Sequence, residues 1–409
     1  MKIHILLFLL MCLCVLGLVF VTWQNPEWPS FTIGFSYKKD RSIPRSLKQQ
    51  TSSQEFIPQP LPTPRDRTAI ISYIPNSMNQ VYQFVSMLYG SWKYFTDYRD
   101  KLISPIKRHK VMHVDLLTFC HPLICPNLEH ICELYTKSVN STTPPKCWFV
   151  EQEFEMDVPY GPINSFVMFN RTDVDELMKP YKYLLRTDLD VFLSPAILIW
   201  RPNKRIITGQ GGYCDPFNMK RLKAIASKLN MVHRGVHCVG STWYGETKLF
   251  TVASKKTLEM TAHMYLNEFH PTAPGLETIN FTANREGEWV RWWRPVSLLY
   301  GAELALNHLI EDFSIKYKQE LDTPSCSKKS IWETPHIHCW HDDCEFQKFK
   351  FISNLNKAIS GRDNIPGDVV HKIIEGIYFQ NVTNMNIKQY TTYIAWSSVG
   401  KYLRKKFLE

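Results

Sequence analysis

Short apolar strands alternate with amphipathic helical stretches from Thr68 onward, and this alternation limits the fold of the chain more than any other feature. The first strand is predicted over 68–74, and the helix after it carries Val81, Phe84, Leu88 and Trp92 on one face. Further strands are predicted over 111–119, 147–154, 181–192, 206–208, 236–240 and 249–252, and further helices over 255–267 and 301–313. This order predicts an α/β domain with a mixed, mainly parallel sheet flanked by helices.

The predicted strand 181–192 runs into two carboxylates, Asp188 and Asp190. Ligands of open α/β sheets bind beyond the carboxyl ends of the strands. Two carboxylates one residue apart suit Mg²⁺ or Mn²⁺ bound to phosphate oxygens. The alternative is an acidic pair exposed to solvent. The apolar residues on both sides suggest burial instead, and burying two like charges is costly without a cation or other partner. We therefore predict a divalent-cation site here.

An unbroken apolar run extends from Ile5 to Val21, 17 residues, which is near the lower limit for a membrane-spanning helix. It ends in Val-Phe-Val-Thr-Trp and lacks the small-residue cleavage site of a signal peptide. The sequence therefore predicts a cytosolic tail over 1–4 and a transmembrane signal anchor over 5–23, with the rest of the chain in the secretory lumen.

Seven prolines lie among polar residues between positions 24 and 66, as in an extended stem. The composition changes at Thr68, where the first apolar strand begins. We predict a lumenal catalytic domain over 67–355 and a C-terminal extension over 356–409 that packs on that domain or follows it.

A lumenal address predicts disulfide bonds. Nine cysteines follow the apolar run, and their odd number leaves at least one unpaired: 120, 125, 132, 147, 214, 238, 326, 339 and 344. The first four are spaced as in a local disulfide-tied loop, and the absence of any C-x-x-C pair disfavours zinc. Four glycosylation sequons, at Asn140, Asn170, Asn280 and Asn381, are compatible with the same address.

The formal net charge of +10 does not indicate a nucleic-acid partner. The excess lies mainly in the stem, the C-terminal end and a basic run from Arg201 to Arg234, which contains a single acid, Asp215. A run of this kind is usually a solvated face, although it could also attract an acidic ligand. Arg186 is better placed for a diphosphate, because it lies two residues before Asp188.

The chain resembles the nucleotide-sugar glycosyltransferases of the GT-A fold in its anchor, its stem, its opening strand and its Asp188-Leu-Asp190 motif. The resemblance implies that the two aspartates hold Mn²⁺ or Mg²⁺ bridging the diphosphate of a sugar donor. It also implies nucleotide contacts from the first strand and its loop, for which Tyr73 and Asn76 are the candidates.

The resemblance further implies that a late histidine completes the metal coordination. The segment from Pro335 to Cys344 offers three, of which we choose His338, with His336 and His341 as substitutes. Two other interpretations stay open: an independent zinc site, and histidines packed under Trp340.

Glu303 is the candidate catalytic residue, in the first turn of a helix predicted to begin near Gly301. GT-A enzymes often carry an acidic residue at such a position. Its role would be general base in an inverting enzyme, or orientation and charge stabilisation in a retaining one. A glutamate in a first turn is also simply favourable helix chemistry.

Together these features predict a metal-dependent glycosyltransferase of the Golgi membrane, single-pass with its catalytic domain lumenal, which moves a sugar from a nucleoside-diphosphate donor to a glycan or glycoprotein. A phosphohydrolase of the haloacid-dehalogenase type is an alternative, but that family expects Thr or Val where this chain has Phe192. A non-catalytic lumenal carbohydrate-binding protein is the other alternative.

Overall fold

The computed structural model describes residues 66–103, 111–136, 143–153, 161–269, 292–316, 320–340, 344, 346–359 and 382–407. All of them lie within one compact unit. The predicted tail, the predicted membrane anchor and all but the last residue of the predicted stem fall outside these ranges. Within them, no helix has both the length and the apolar character needed to cross a membrane.

Eight strands form one mixed sheet in the order β3-β4-β2-β1-β5-β8-β7-β9, and three form a small second sheet in the order β10-β11-β6. The strands are β1 Arg67–Ile74, β2 His113–Cys120, β3 Glu133–Leu134, β4 Cys147–Glu151, β5 Tyr183–Arg186, β6 Val191–Leu193, β7 Ile206–Gln210, β8 Val239–Glu246, β9 Phe313–Ile315, β10 Thr323–Pro324 and β11 His336–His338. Among the described strands of the large sheet, only the two pairings made by β8 are antiparallel. The predicted mixed α/β fold with a mainly parallel sheet is confirmed.

The helices connect the strands and cover the sheet. They are α1 Met78–Gln83, α2 Gly90–Asp97, α3 Arg99–Leu102, α4 Asn164–Val167, α5 Thr172–Met178, α6 Pro216–Lys228, α7 Thr247–Asn267, α8 Ser297–Leu309, α9 Lys348–Ile359 and α10 Ile387–Phe407. A π-helical segment, Phe84–Tyr89, joins α1 to α2. Short 3₁₀ turns occupy Cys125–Leu128, Gly161–Ile163, Met168–Asn170, Pro195–Leu198, Arg294–Val296 and Val382–Asn384.

Strand β1 is buried on both faces of the sheet, as its composition requires. Ile70 and Ile74 belong to one apolar cluster and Ala69 and Ile71 to another. Because alternate residues of a strand point to opposite faces, a strand that is apolar at consecutive positions needs a covering layer on each side. The helical layers supply that cover.

The predicted strand 181–192 is wrong in its extent. It divides into β5, which pairs with β1, and β6, which belongs to the second sheet. Asp188 and Asp190 lie in the bend between the two. The continuous apolar character of the segment arises because both strands are buried, although they lie in different sheets.

The strand predicted over 249–252 is also wrong, because these residues belong to α7. Four apolar or β-branched residues cannot distinguish a strand from a buried helical turn. The helix buries Phe250, Ala253, Thr257 and Leu258, at the spacing of a helical face, while Val252 is 49% exposed.

The helix predicted to begin near Gly301 begins at Ser297 instead. Gly301 is not a boundary but a packing position, since a β-carbon there would approach the backbone nitrogen of Thr261 to 2.7 Å. The absence of a side chain lets α8 lie close against α7.

The last described helix, α10, packs on the π-helical segment and on α2. Tyr390 donates a hydrogen bond to the carbonyl oxygen of Leu193 at 2.8 Å. A β-carbon on Gly90 would overlap Ser398, so the two helices approach closely there. The domain boundary predicted at 355 stays a prediction, but α10 contributes to the same core as the first helices.

The predicted disulfides are confirmed. The described residues form four bonds: Cys120–Cys125, Cys132–Cys147, Cys214–Cys238 and Cys326–Cys344. Cys339 is the unpaired cysteine that the odd number requires, and it is buried.

A buried ion pair links the first two strands of the sheet. The guanidinium of Arg67 donates to both carboxylate oxygens of Asp115, at 2.8 and 2.9 Å. The Tyr181 hydroxyl and the Lys146 backbone N–H donate to the same carboxylate, at 3.0 and 2.9 Å. Both charged side chains are at most 2% exposed, so this interaction is satisfied entirely within the protein.

Candidate functional site

Two strand pairings bring the candidate metal ligands together. β5 ends at Arg186, and the chain turns through Asp188 and Asp190 into β6. β6 pairs with β11 so that Val191 lies opposite His338. The N–H of Cys339 also donates to the Asp190 carbonyl at 3.0 Å. The small second sheet therefore carries His338 to the carboxylates that follow β5.

Asp188, Asp190 and His338 form a cluster whose potential ligand atoms all lie within 4.8 Å of one another. His338 Nε2 is 3.5 Å from Asp190 Oδ1. The side chains are 33%, 16% and 11% exposed, respectively, so the cluster opens to solvent on the Asp188 side. Two carboxylates and an imidazole are a suitable donor set for Mn²⁺.

Cationic side chains already contact both carboxylates. Arg186 lies 3.0 Å from Asp188 Oδ1, while the Ser241 hydroxyl donates to Asp188 Oδ2 at 2.6 Å. Lys348, at the start of α9, forms an ion pair with Asp190. Burial opposes ionisation of Asp190, but Lys348 and His338 hold its pKa well below the usual range, so the carboxylate is charged. Sequence reasoning identified Arg186 but missed Lys348.

A third carboxylate, Asp322, orients His338 by contacting the ring nitrogen that does not face Asp190. Asp322 Oδ1 lies 3.2 Å from His338 Nδ1 and accepts a hydrogen bond from the Thr242 hydroxyl at 2.7 Å. The residue is 1% exposed and adopts a left-handed φ of 56°. A β-carbon on Gly209 would overlap the other carboxylate oxygen, so glycine makes room for it. Despite its burial, His336 and His338 lower the pKa of Asp322, which is therefore an acceptor for the Nδ1–H of His338.

Hydrogen-bond partners distinguish the two described histidines of β11. Nδ1 of His338 forms a hydrogen bond with Asp322, and Nε2 on the other side of the ring faces Asp190. His336 Nδ1 lies 3.2 Å from the backbone nitrogen of Asp322 and 3.3 Å from its Oδ1, and Nε2 lies 2.7 Å from the Thr187 hydroxyl, so both ring nitrogens of His336 have partners within the fold. Of the two, only His338 can offer a nitrogen to a metal, after Nε2 has lost its proton, in the carboxylate–histidine–metal arrangement common in metalloproteins. His341 lies outside the described residues.

Cation binding at this cluster should strengthen with rising pH. Burial by itself lowers the pKa of His338, but Asp190 and Asp322 outweigh that effect and raise it to about 10. A proton therefore occupies Nε2 at neutral pH, and a cation must displace it. We expect Mn²⁺ affinity to rise by up to about tenfold per pH unit below pH 10 and to release about one proton, measured by titration calorimetry from pH 6 to 8.5.

His338→Gln supplies the control for this pH dependence. It removes the titrating imidazole, so the residual Mn²⁺ affinity should depend much less on pH. A wild-type affinity that stays constant across this interval would contradict the assignment of His338 as a ligand.

The two residues predicted to contact the nucleotide lie at the end of β1. Ile71 pairs with Arg186, and the N–H of Thr187 donates to the Ile71 carbonyl at 2.9 Å. Tyr73 is half-buried and lies two residues beyond Ile71, and Asp188 lies two residues beyond Arg186, in the bend after β5. Asn76 is exposed in the loop that follows. Both residues are therefore at the same end of the sheet as the carboxylates.

Glu303 lies in the second turn of α8 rather than the first, which corrects the predicted helix dipole environment. It is fully buried, and the structure describes no contact between it and Asp188 or Asp190. Its carboxylate instead belongs to a second cluster with His233 and His237. Its catalytic role stays a prediction.

The basic run from 201 to 234 does not gather at the carboxylates. Its members with described acidic partners pair elsewhere: Lys204 with Asp312, Arg205 with Glu246, Arg221 and Lys228 with Glu268, and Arg234 with Glu311. These residues therefore fit a solvated face with local ion-pair partners better than a diphosphate site.

The fold and the site define a mixed α/β protein with a carboxylate–histidine cluster at the carboxyl ends of parallel strands. The chain belongs to the family described as a domain of unknown function (DUF7164), whose profile matches residues 63–408. No curated protein matches the sequence.

Among solved structures, the chain is similar to a glycosyltransferase involved in the glycosylation of the major capsid of PBCV-1. The identity is 7%, and the match covers 71% of this chain and 99% of that one, with a TM-score of 0.32. A similarity at this level carries no argument about function.

Proposed function

We propose that the protein is a metal-dependent glycosyltransferase that moves a sugar from a nucleoside-diphosphate donor to a glycan or glycoprotein. The observation that carries the proposal is the convergence of Asp188, Asp190 and the oriented imidazole of His338 at one opening, beside Arg186 and Lys348. The aspartates and His338 would hold Mn²⁺ or Mg²⁺. When bound, the cation neutralises charge on the diphosphate of the donor.

The surrounding cations have a role in the same step. Arg186 and Lys348 neutralise the carboxylates in the metal-free protein. With the carboxylates engaged by a divalent cation, these side chains would be available to donate hydrogen bonds to phosphate oxygens. Such donors would stabilise the charge that develops on a leaving diphosphate.

The Golgi address is part of the proposal and rests on sequence features. The apolar run at 5–21 would anchor the protein as a single-pass membrane protein, and the proline-rich segment would act as a stem. The four disulfides fit an oxidising lumen. Asn170, one of the four sequon asparagines, is exposed and thus accessible to glycosylation.

A binding screen of the full chain tests the proposal. Uridine- and guanosine-diphosphate sugars are each added with Mn²⁺, with Mg²⁺ and with a chelator, and the melting temperature is measured. At about 100 times the Kd a ligand adds about 2.7 kcal/mol to the folded state, so one nucleotide class should raise the melting temperature by several degrees only with metal.

The alternative enzyme class is examined in the same samples. Release of inorganic phosphate from p-nitrophenyl phosphate, without any effect of nucleotide sugars, would favour a phosphohydrolase. The glycosyltransferase proposal would be rejected if no nucleotide sugar shifted the melting temperature under any metal condition.

A further inference from the structure

A second cluster of titratable side chains surrounds the buried carboxylate of Glu303. Oε1 faces His237 Nδ1 at 2.6 Å and His233 Nε2 at 3.2 Å. Oε2 accepts the Tyr213 hydroxyl and the backbone N–H of Cys238, both at 2.8 Å. Burial by itself raises the pKa of Glu303, but the hydrogen bonds from the histidines and Tyr213 lower it, so the carboxylate is ionised.

The hydrogen-bond partners assign different roles to the two histidines. The N–H of Gly235 donates to His233 Nδ1 at 3.1 Å, so Nε2 of His233 carries a proton and donates it to Glu303. Both nitrogens of His233 are thereby used, and neither has a lone pair left for a metal. This arrangement favours a hydrogen-bonded network over a metal site, even though the three side chains are close enough for one.

His237 keeps one nitrogen available. Its Nδ1–H donates to Glu303, which leaves the lone pair on Nε2. Its side chain is 10% exposed, and the described part of the chain provides no hydrogen-bond partner for Nε2. A carboxylate that orients a partly exposed imidazole, whose other nitrogen has no described partner, is the arrangement of a general base.

Strand β8 links this cluster to the carboxylates. Glu303 accepts a hydrogen bond from the backbone N–H of Cys238. The hydroxyl of Ser241, three residues further along, donates a hydrogen bond to Asp188. Four residues of chain span at most about 14 Å, so the α-carbon of His237 lies within that distance of the α-carbon of Ser241. The disulfide between Cys214 and Cys238 and the buried carboxylate fix this segment in place.

We propose that His237 is the general base for the acceptor hydroxyl and that Glu303 is its positioning residue, an inference that rests on the proposed glycosyltransferase function. The proton of the acceptor O–H passes to His237 Nε2 while the acceptor oxygen bonds to the anomeric carbon. The bond from that carbon to the diphosphate breaks, and its electron pair stays on the leaving nucleoside diphosphate. Glu303 stabilises the imidazolium that forms.

This assignment replaces Glu303 as the base. All four described donors around Glu303 point at its two oxygens, and the residue is fully buried. A carboxylate so enclosed cannot contact an acceptor sugar, whereas the neighbouring imidazole of His237 is partly exposed. Glu303, the acidic residue predicted from the sequence, therefore acts through His237 rather than on the acceptor itself.

Replacing His237 tests the proposal. With the nucleotide sugar and Mn²⁺ selected by the melting screen, hydrolysis of the donor by water is measured as release of nucleoside diphosphate. His237→Gln should slow it by about 10²–10⁴-fold while the donor-induced rise in melting temperature is retained.

Two further variants separate chemistry from structure. Imidazole in solution should restore part of the rate of His237→Ala, which a purely structural role would not allow. Glu303→Gln should lower kcat with little change in KM for the donor. His263→Gln, which alters a histidine of α7 paired with Glu268, is the matched control and should keep the wild-type rate.

The outcomes distinguish the two proposals. A wild-type protein that binds no nucleotide sugar would overturn the glycosyltransferase function and the base role with it. A wild-type protein that turns over the donor, with His237→Gln equally fast, would overturn only the base role. Nitrogen NMR showing the proton of neutral His237 on Nε2 would overturn the dyad independently of any donor.

Discussion

Asp190→Asn should abolish Mn²⁺-dependent binding of nucleotide sugars. The substitution keeps the shape of the side chain but removes the charge that would hold the cation and that now pairs with Lys348 and His338. Loss of a partner outside the coordination shell typically weakens metal affinity 10- to 100-fold, so loss of a direct ligand should weaken it by more than about 100-fold. Calorimetric titration with Mn²⁺, followed by the melting screen with nucleotide sugar, measures the effect.

The matched control for this substitution is Asp173→Asn. Asp173 is also an ion-paired aspartate, 2.7 Å from Arg171, but its side chain is 64% exposed and lies on α5. It should leave Mn²⁺ affinity unchanged. Circular dichroism shows whether Asp190→Asn keeps its fold, and a folded variant with wild-type Mn²⁺ affinity would remove Asp190 from the metal site.

Asp115→Ala should lower the free energy of unfolding by about 3–5 kcal/mol, because it leaves the buried Arg67 guanidinium without its counter-charge. It also removes the acceptor of the Tyr181 hydroxyl and of the Lys146 N–H. Unfolding in urea with the disulfides intact measures the loss.

The exposed pair between Lys146 and Glu133 provides the comparison. Its side chains are 36% and 60% exposed, so Glu133→Ala should change the free energy of unfolding by at most about 1 kcal/mol. Removing both buried charges, as in Arg67→Met with Asp115→Leu, should recover the part of the loss that comes from the unpaired guanidinium. If Asp115→Ala is no more destabilising than Glu133→Ala, the buried pair has no special role in stability.

The sequence predicted the elements whose signals are local. The strands near 68–74 and 206–208 and the helix after Pro75 have regular apolar spacing, and all appear in the structure. Position 301 shows the limit of this reasoning, because glycine there reflects packing against Thr261 rather than a helix end. Sequence alone does not reveal which neighbour a glycine accommodates.

The site was predictable only where its residues carry a motif. Asp188 and Asp190 stand out because two charges interrupt an apolar segment. Lys348 and Asp322 have no such signal, since they reach the site through the second sheet and the start of α9. Lys348 is 158 positions from Asp190 in sequence, and only the three-dimensional fold relates them.

The position of α10 has a consequence for biosynthesis. The π-helical segment and α2, near the start of the folded region, are covered by residues 387–407. During translation these early helices emerge about 300 residues before the segment that buries them. Contacts of such long sequence separation form late and slowly. We therefore expect the domain to reach its native state only after residues 387–407 have emerged from the ribosome, with the early helices exposed to chaperones until then.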